Sequence, residues 1–216
     1  MSDRSNPGAG KDRAFVNGLA RGLRVLASFS PEHNRMSLGD LAKATGLPKS
    51  TIARLVHTLV ETGYIYVCPD SGRYSLHPKV LTLGYPVMAS MDKRLVALPM
   101  MQELADYSRG TVSLGIRDGL SMILIERSRD RTVRALPLDI GSRIPMETTS
   151  MGHAYFAAAD TVEQAAILEQ FKTHDPARFK DVERTLRAAE KEYADKGYCT
   201  AVGIWEDDVN AVGVAV

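Results

Sequence analysis

The most restrictive feature of this chain is the run 37–76, in which two short helical periods meet at a glycine and then give way to a strand period. Ser37 is a good N-cap, and Asp40 three residues on matches a capping box. Leu38, Leu41 and Ala42 supply one apolar side, and Gly46 ends that helix. Pro48 suits a first helical position. Ile52, Leu55, Val56, Leu59 and Val60 then keep a helical spacing as far as Gly63. Alternating runs follow at 64–67 and 73–76, with Pro69-Asp70-Ser71-Gly72 as the turn between them. Upstream, Leu19, Leu23, Leu26 and Ala27 set a further helical period that starts near Asn17 and ends at Ser30-Pro31. Three helices followed by a two-stranded hairpin describe a winged helix-turn-helix, and the short joint ATGLPKS carries the expected glycine.

On a helical wheel the third helix has two faces. Ile52, Leu55, Val56, Leu59 and Val60 centre on one direction; Ser50, Arg54, His57 and Glu61 lie opposite, flanked by Thr51 and Thr58. A helix entering a major groove brings its first turn to the DNA, where free backbone N–H groups, Lys49 and the Ser50 and Thr51 hydroxyls can hold phosphate. Arg54 can contact guanine in bidentate fashion, and His57 can do so less well. Arg35, Lys43 and the wing residue Arg73 are candidate backbone clamps. Charge agrees: residues 1–90 carry 11 Lys or Arg against 6 Asp or Glu, whereas residues 91–216 carry 16 against 20. A basic half joined to an acidic half points to a polyanion partner for the first. A solvated helix face accounts for the same residues taken singly; the consecutive cap, glycine turn, basic helix and wing favour DNA.

The remainder divides around this unit. Residues 1–14 read as a disordered arm, 15–76 as the winged domain, 77–91 as a linker helix interrupted at Gly84 and Pro86, and 92–216 as a second domain of mixed helices and strands. In that domain a helix over 95–109 precedes strands at 111–116, 121–126 and 132–136, then helices at 152–159, 162–171 and 179–196. The closing VNAVGVAV reads as a buried strand. One loop, IPMETTSMGHAYF, enters a helix near Ser150 with hydroxyls in front of it. Such a start favours a carboxylate, and Gly152 allows close approach. Thr148, Thr149 and Ser150 can equally serve as ordinary caps, and the residues alone leave both readings open.

Several classes are excluded or disfavoured. His33, His57, His77, His153 and His174 form no HExxH, and there is no G-x-S-x-G elbow or phosphate loop, so an enzyme is not expected and no catalytic residue is assigned. Glu126, Asp139 and Glu147 read as turn and surface acids. Cys68 and Cys199 are far apart and lack metal-ligand spacing; no metal or cofactor is expected, and reduced thiols suit a cytoplasmic protein. Apolar runs fall short of the ~20 residues that span a bilayer, and no secretory signal opens the chain.

Residues 17–84, from NGLARGLRVLASF through SLGDLAKATGLPKSTIARLVHTLVETGYI to GRYSLHPKVLTLG, resemble the DNA-binding half of the IclR family of bacterial transcriptional regulators. The resemblance continues through VSLGIRDGLSMILIERS, DIGSRIPMETTSMGHAYFAA and KGYCTAVGIWEDDVNAVGVAV, nearly everything after residue 15. It implies an α+β (mixed) chain: an N-terminal winged helix-turn-helix plus a C-terminal GAF-like α/β effector-binding domain. It further implies dimers, often paired as tetramers, on double-stranded DNA with a pseudo-palindromic operator, and a small organic-acid or aromatic catabolite as effector. The matching pocket positions are Met146, Ser150, Met151, Gly152, Asp207 and Ala211; several members carry cysteine at the position of Ala211. The family continues with a further strand pair and tail, so the second domain is expected to be truncated at its C-terminus. A repressor is the expected role. The alternatives are a winged-helix DNA binder with no effector, or a winged-helix protein-interaction module.

Overall fold

The computed structural model describes residues 14–132 and 136–216. The arm expected over 1–14 lies outside the described residues except for Ala14, as does most of the strand expected over 132–136. The chain forms two compact units, Met1–Ser90 and Met91–Val216.

The first unit carries α1 (Asn17–Leu26), α2 (Leu38–Thr45) and α3 (Lys49–Glu61), then a hairpin of β1 (Ile65–Val67) and β2 (Tyr74–Leu76). The capping box is formed: Asp40 N–H donates to Ser37 Oγ at 3.2 Å and Ser37 N–H to the Asp40 carboxylate at 2.9 Å. Gly46 adopts φ +69°, a left-handed conformation that closes α2 and lets the chain turn sharply into α3. Val25 of α1, Met36, Leu41 of α2, Ile52 and Val56 of α3 and Ile65 of β1 interlock as the core, with Tyr74 and Leu76 of β2 packed against it. Met36 also pairs with Tyr74 through reciprocal backbone bonds of 2.9 and 2.8 Å, giving the wing a third, single-residue rung. Pro48 is the N-cap of α3 rather than its first helical residue: its ψ of 143° is extended, and its carbonyl accepts the first helical bond, from Ile52 N–H.

Beyond β2 a 3-10 turn, Pro78–Val80, runs without a break into α4 (Leu81–Ala89). Gly84 and Pro86 do not interrupt it. Pro86 removes the one helical bond that would reach the Thr82 carbonyl, and both residues are exposed, so water can satisfy that carbonyl.

In the second unit α5 (Asp92–Ser108) precedes an antiparallel sheet of β3 (Thr111–Asp118), β4 (Ser121–Arg129) and β5 (Arg143–Pro145), in the order β3-β4-β5. Three helices follow, α6 (Ser150–Ala158), α7 (Thr161–His174) and α8 (Phe179–Lys196), and a second antiparallel pair, β6 (Cys199–Val202) with β7 (Asn210–Gly213). Met122 and Leu124 of β4, Ile144 of β5, Phe156 of α6, Ile167 of α7 and Leu186 of α8 meet in one core. The closing strand differs from the expected buried one: Val212 and Val214 are exposed, while Ala211 and Gly213 are half-covered. Glu126 also differs. It is a buried residue, 6% exposed, because a carboxylate inside β4 is paired by Arg94 of α5.

Candidate nucleic-acid interface and ligand site

The α3 face is built as the spacing requires. Ile52 and Val56 are buried, and Lys49, Ser50, Arg54 and His57 are exposed; Thr51 is half-buried between the two faces. The helix start has no side-chain cap, so its first backbone N–H groups keep their donor capacity for a phosphate. Lys49 lies beside the α2 start, since a Cβ on Gly39 would stand 3.9 Å from Lys49 Cε. Thr58 turns its hydroxyl to the Arg54 carbonyl at 3.1 Å, which removes it from the reading face.

Lys43 is exposed in the last turn of α2 and Arg35 is exposed before its cap. Arg73 has an internal role that sequence spacing did not reveal. Its Nη1 donates to the Arg35 carbonyl and to the Asp40 carboxylate, each at 3.2 Å, and so ties the wing to the start of α2. The Asp40 carboxyl is held below its ordinary range, first by the Ser37 N–H, then by the Ser37 hydroxyl, with Arg73 and Lys43 adding to it. Both partners of the Arg73–Asp40 pair are about half exposed, so it orients more than it stabilises. Lys79, not singled out from the sequence, donates to the Thr62 carbonyl at 2.8 Å and stands 4.8 Å over the Tyr64 ring.

In the second unit four candidate residues come together at the start of α6. Thr149 caps it, accepting from Gly152 N–H at 3.3 Å and donating to the Pro145 carbonyl at 2.6 Å. His153 Nε2 donates to the Glu147 carbonyl at 2.9 Å and pins the same loop. Met146 and Ser150 are buried, and Met151 is half-buried. Gly152 has a packing reason: a Cβ there would collide with the Met146 backbone. A Cβ on Gly213 would likewise collide with the Ser150 carbonyl, so β7 passes directly over the first turn of α6. Ala211 lies two residues earlier on that strand and is half-buried with Gly213, opposite Ala201 in register. Asp207 is in the exposed turn between β6 and β7.

The Thr148 hydroxyl, in the loop leading to α6, is buried and has no hydrogen-bond partner among the described residues. A recess of about 230 Å³ shares Pro145 and Glu147 with this loop and is otherwise lined by Leu120, Ser121, Arg143, Ile144, Phe171 and His174. Among the described residues no group of three or more His, Cys, Asp or Glu is placed to hold a metal, and no helix is long and apolar enough to cross a membrane.

Comparison with known proteins matches both units. Residues 18–67 match the IclR helix-turn-helix domain, and residues 86–216 match the bacterial transcriptional regulator IclR C-terminal domain. The chain is 30% identical over 204 residues to the HTH-type transcriptional regulator TsaQ1/TsaQ2 of Comamonas testosteroni, covering 94% of this chain and 73% of that one. A crystal structure of an IclR family transcriptional regulator from Brucella abortus is 40% identical with a TM-score of 0.82, covering 95% of this chain and 78% of that one. At 23% identity and a TM-score of 0.68, an IclR homolog from Microbacterium hydrocarbonoxydans complexed with 4-hydroxybenzoate shares the fold, over 92% of this chain and 82% of that one.

Proposed function

The chain belongs to the IclR family of bacterial transcriptional regulators, a family of DNA-binding proteins rather than enzymes, and from that premise we propose that it is a sequence-specific, effector-controlled repressor. The observation that carries the DNA reading is the α3 face: Lys49, Ser50, Arg54 and His57 exposed together beside an uncapped helix start. Arg54 reads a base, Lys49 and Ser50 hold the phosphate at the helix start, and Arg35 and Lys43 clamp the flanking backbone. Arg73 works mainly by holding the wing against α2.

The operator is a pseudo-palindrome read by a dimer. Leu19 and Leu23 lie four apart on one exposed side of α1, Phe15 is exposed just ahead of that helix, all three between 54% and 63% accessible, and Leu81, Tyr85 and Val87 are exposed on α4. Apolar side chains in that pattern fit a helical surface that a second copy covers. The effector is a small organic acid or aromatic catabolite beside Met146, Ser150, Met151 and Ala211, at the helix start that Gly152 packs against the Met146 backbone, and the Thr148 hydroxyl supplies a donor for it. The Microbacterium homolog's 4-hydroxybenzoate is a compound of that class.

The test is selection of genomic DNA fragments by the purified chain at near-physiological salt. Recovery of one palindromic site, bound at least about tenfold more weakly by the Arg54→Ala variant, is the expected result. A folded protein that enriches no sequence, or an Arg54→Ala variant of unchanged affinity, would overturn it. Addition of 4-hydroxybenzoate and related carboxylates to the selected fragment then tests the effector.

A further inference from the structure

The register of β3 against β4 slips at one place. Leu114 faces Glu126 while Gly115 faces Leu124, so Ile125 has no partner. A bulge of this kind turns the residues beyond it to the other side of the sheet. Leu124, before the bulge, lies in the core with α6. Glu126, after it, meets α5: its Oε2 accepts from Arg94 Nη1 at 2.9 Å. Its Oε1 accepts from Arg127 N–H, also at 2.9 Å. Only 17% of the Arg94 side chain and 8% of the Glu126 side chain are accessible. Arg94 Nε is buried without a partner among the described residues.

The geometry of this pair leaves room for a second arrangement. Arginine and carboxylate favour a two-pronged geometry, and here only one prong is made. The other oxygen of Glu126 is occupied by the N–H next to the bulge. A shift that flattens the bulge would release that oxygen and let Arg94 present Nε to it. A packed element with two discrete arrangements, one of them leaving a buried donor unsatisfied, is what coupling requires.

The opposite side of the bulge touches the ligand candidates. A Cβ on Gly115 would collide with Met151 Sδ and stand 3.2 Å from the Ile123 carbonyl. Met151 is the second residue of α6, next to Ser150, and Arg94 is in the first turn of α5, three residues into the second unit.

We propose that Arg94 and Glu126 are positioning residues that link the start of α6, through Met151, Gly115 and the bulge at Ile125, to the seating of the first turns of α5. A ligand that displaces Met151 thereby changes the helix that directly follows the 77–91 linker. The biological sense of the link rests on the effector reading above, but its physical test needs neither effector nor DNA.

The full chain is compared with its Gly115→Ala variant, in which the added methyl pushes on Met151 as a ligand would. Amide hydrogen exchange over residues 96–101 of α5 is the readout. The same pair is then measured in an Arg94→Met/Glu126→Leu background, which removes both charges and leaves apolar side chains, a replacement that buried ion pairs commonly tolerate. The expected result is a change of at least about threefold in exchange on Gly115→Ala in the native background, absent when the ion pair is gone. An equal change in both backgrounds, or none in the native one, overturns the proposal. Should either variant fail to fold, Met151→Leu replaces Gly115→Ala and Glu126→Gln replaces the double change, with the same outcomes. Loss of coupling here leaves the effector reading intact, because that reading fails only if no carboxylate alters operator binding.

Discussion

The ammonium of Lys79 donates to the carbonyl oxygen of Thr62 at 2.8 Å, joining the start of the linker to the end of the helix that carries Arg54. Thr62 caps α3 and Gly63 leaves it at φ +76°, so this carbonyl is one of the helix's orphan acceptors. His77 N–H reinforces the junction by donating to the Tyr64 carbonyl at 2.9 Å. Replacing Lys79 with Met keeps the stem and removes the charge. The expected cost to stability is below about 1 kcal/mol, but amide exchange in the last turn of α3 should rise several-fold. Unchanged protection over residues 58–64 would show that the contact does not hold the helix end.

Gly152, expected from the sequence to allow close approach of a ligand, sits against the Met146 backbone. If it is glycine so that a ligand can come close, Gly152→Ala should leave the urea midpoint alone and weaken only the response to carboxylates. Its Cβ would instead meet the backbone of Met146, which is fully buried and cannot retreat into space. Gly152→Ala should therefore destabilise the second unit by at least about 2 kcal/mol. A midpoint within error of the parent chain would return the glycine to the ligand.

What was legible in the sequence follows the strength of local rules. Ser37 with Asp40, Gly46 and the Ile52–Val56 stripe are each enforced within a few residues of chain, and the winged unit could be read from them. Arg73 was legible as an exposed cation, but its engagement with Asp40 spans 33 residues and depends on how the wing folds back. The burial of Glu126 escaped for a related reason: an acid at the end of an apolar run reads as surface unless the bulge and Arg94 are known. β5 is three residues long, too short to alternate, and α4 continues through Pro86, whose missing N–H leaves the exposed Thr82 carbonyl to water. At the ligand candidates, the motif marked the start of α6, while the passage of β7 over it depends on Gly213, a contact 63 residues away in sequence from Ser150.

Cys199, the first residue of β6, is fully buried against α6 and α8, with Sγ donating to the Ala189 carbonyl at 3.4 Å. Burial first, and the nearby Glu192 charge second, push its thiol up to about 11. Alkylation at pH 8 should run at least about 100-fold slower than for a free thiol and should accelerate in urea in step with unfolding. Rapid labelling of Cys199 in the native chain would mean that β6 opens locally from α8.

Glu192 gives the chain an acid-sensitive latch at that same junction. Its carboxylate accepts from Thr200 N–H at 3.1 Å and from Thr200 Oγ1 at 2.8 Å, with Lys196 at 3.1 Å on the outer side. These donors, the Thr200 backbone N–H foremost, lower its pKa from 4.5 to about 2. A carboxyl whose folded value lies below its unfolded one binds protons more readily when unfolded, so its stabilising contribution is complete above pH 4.5. The contribution is lost as pH falls from 4.5 towards 2. The urea midpoint of the parent chain should therefore decline through that window more steeply than that of Glu192→Gln, which keeps the shape but cannot titrate. Thr200→Val removes the hydroxyl donor and leaves the N–H, so the folded value moves back towards 4.5 and the decline should be smaller without disappearing. Parallel declines in all three proteins would place the acid sensitivity in other carboxylates and leave Glu192 an ordinary helix residue.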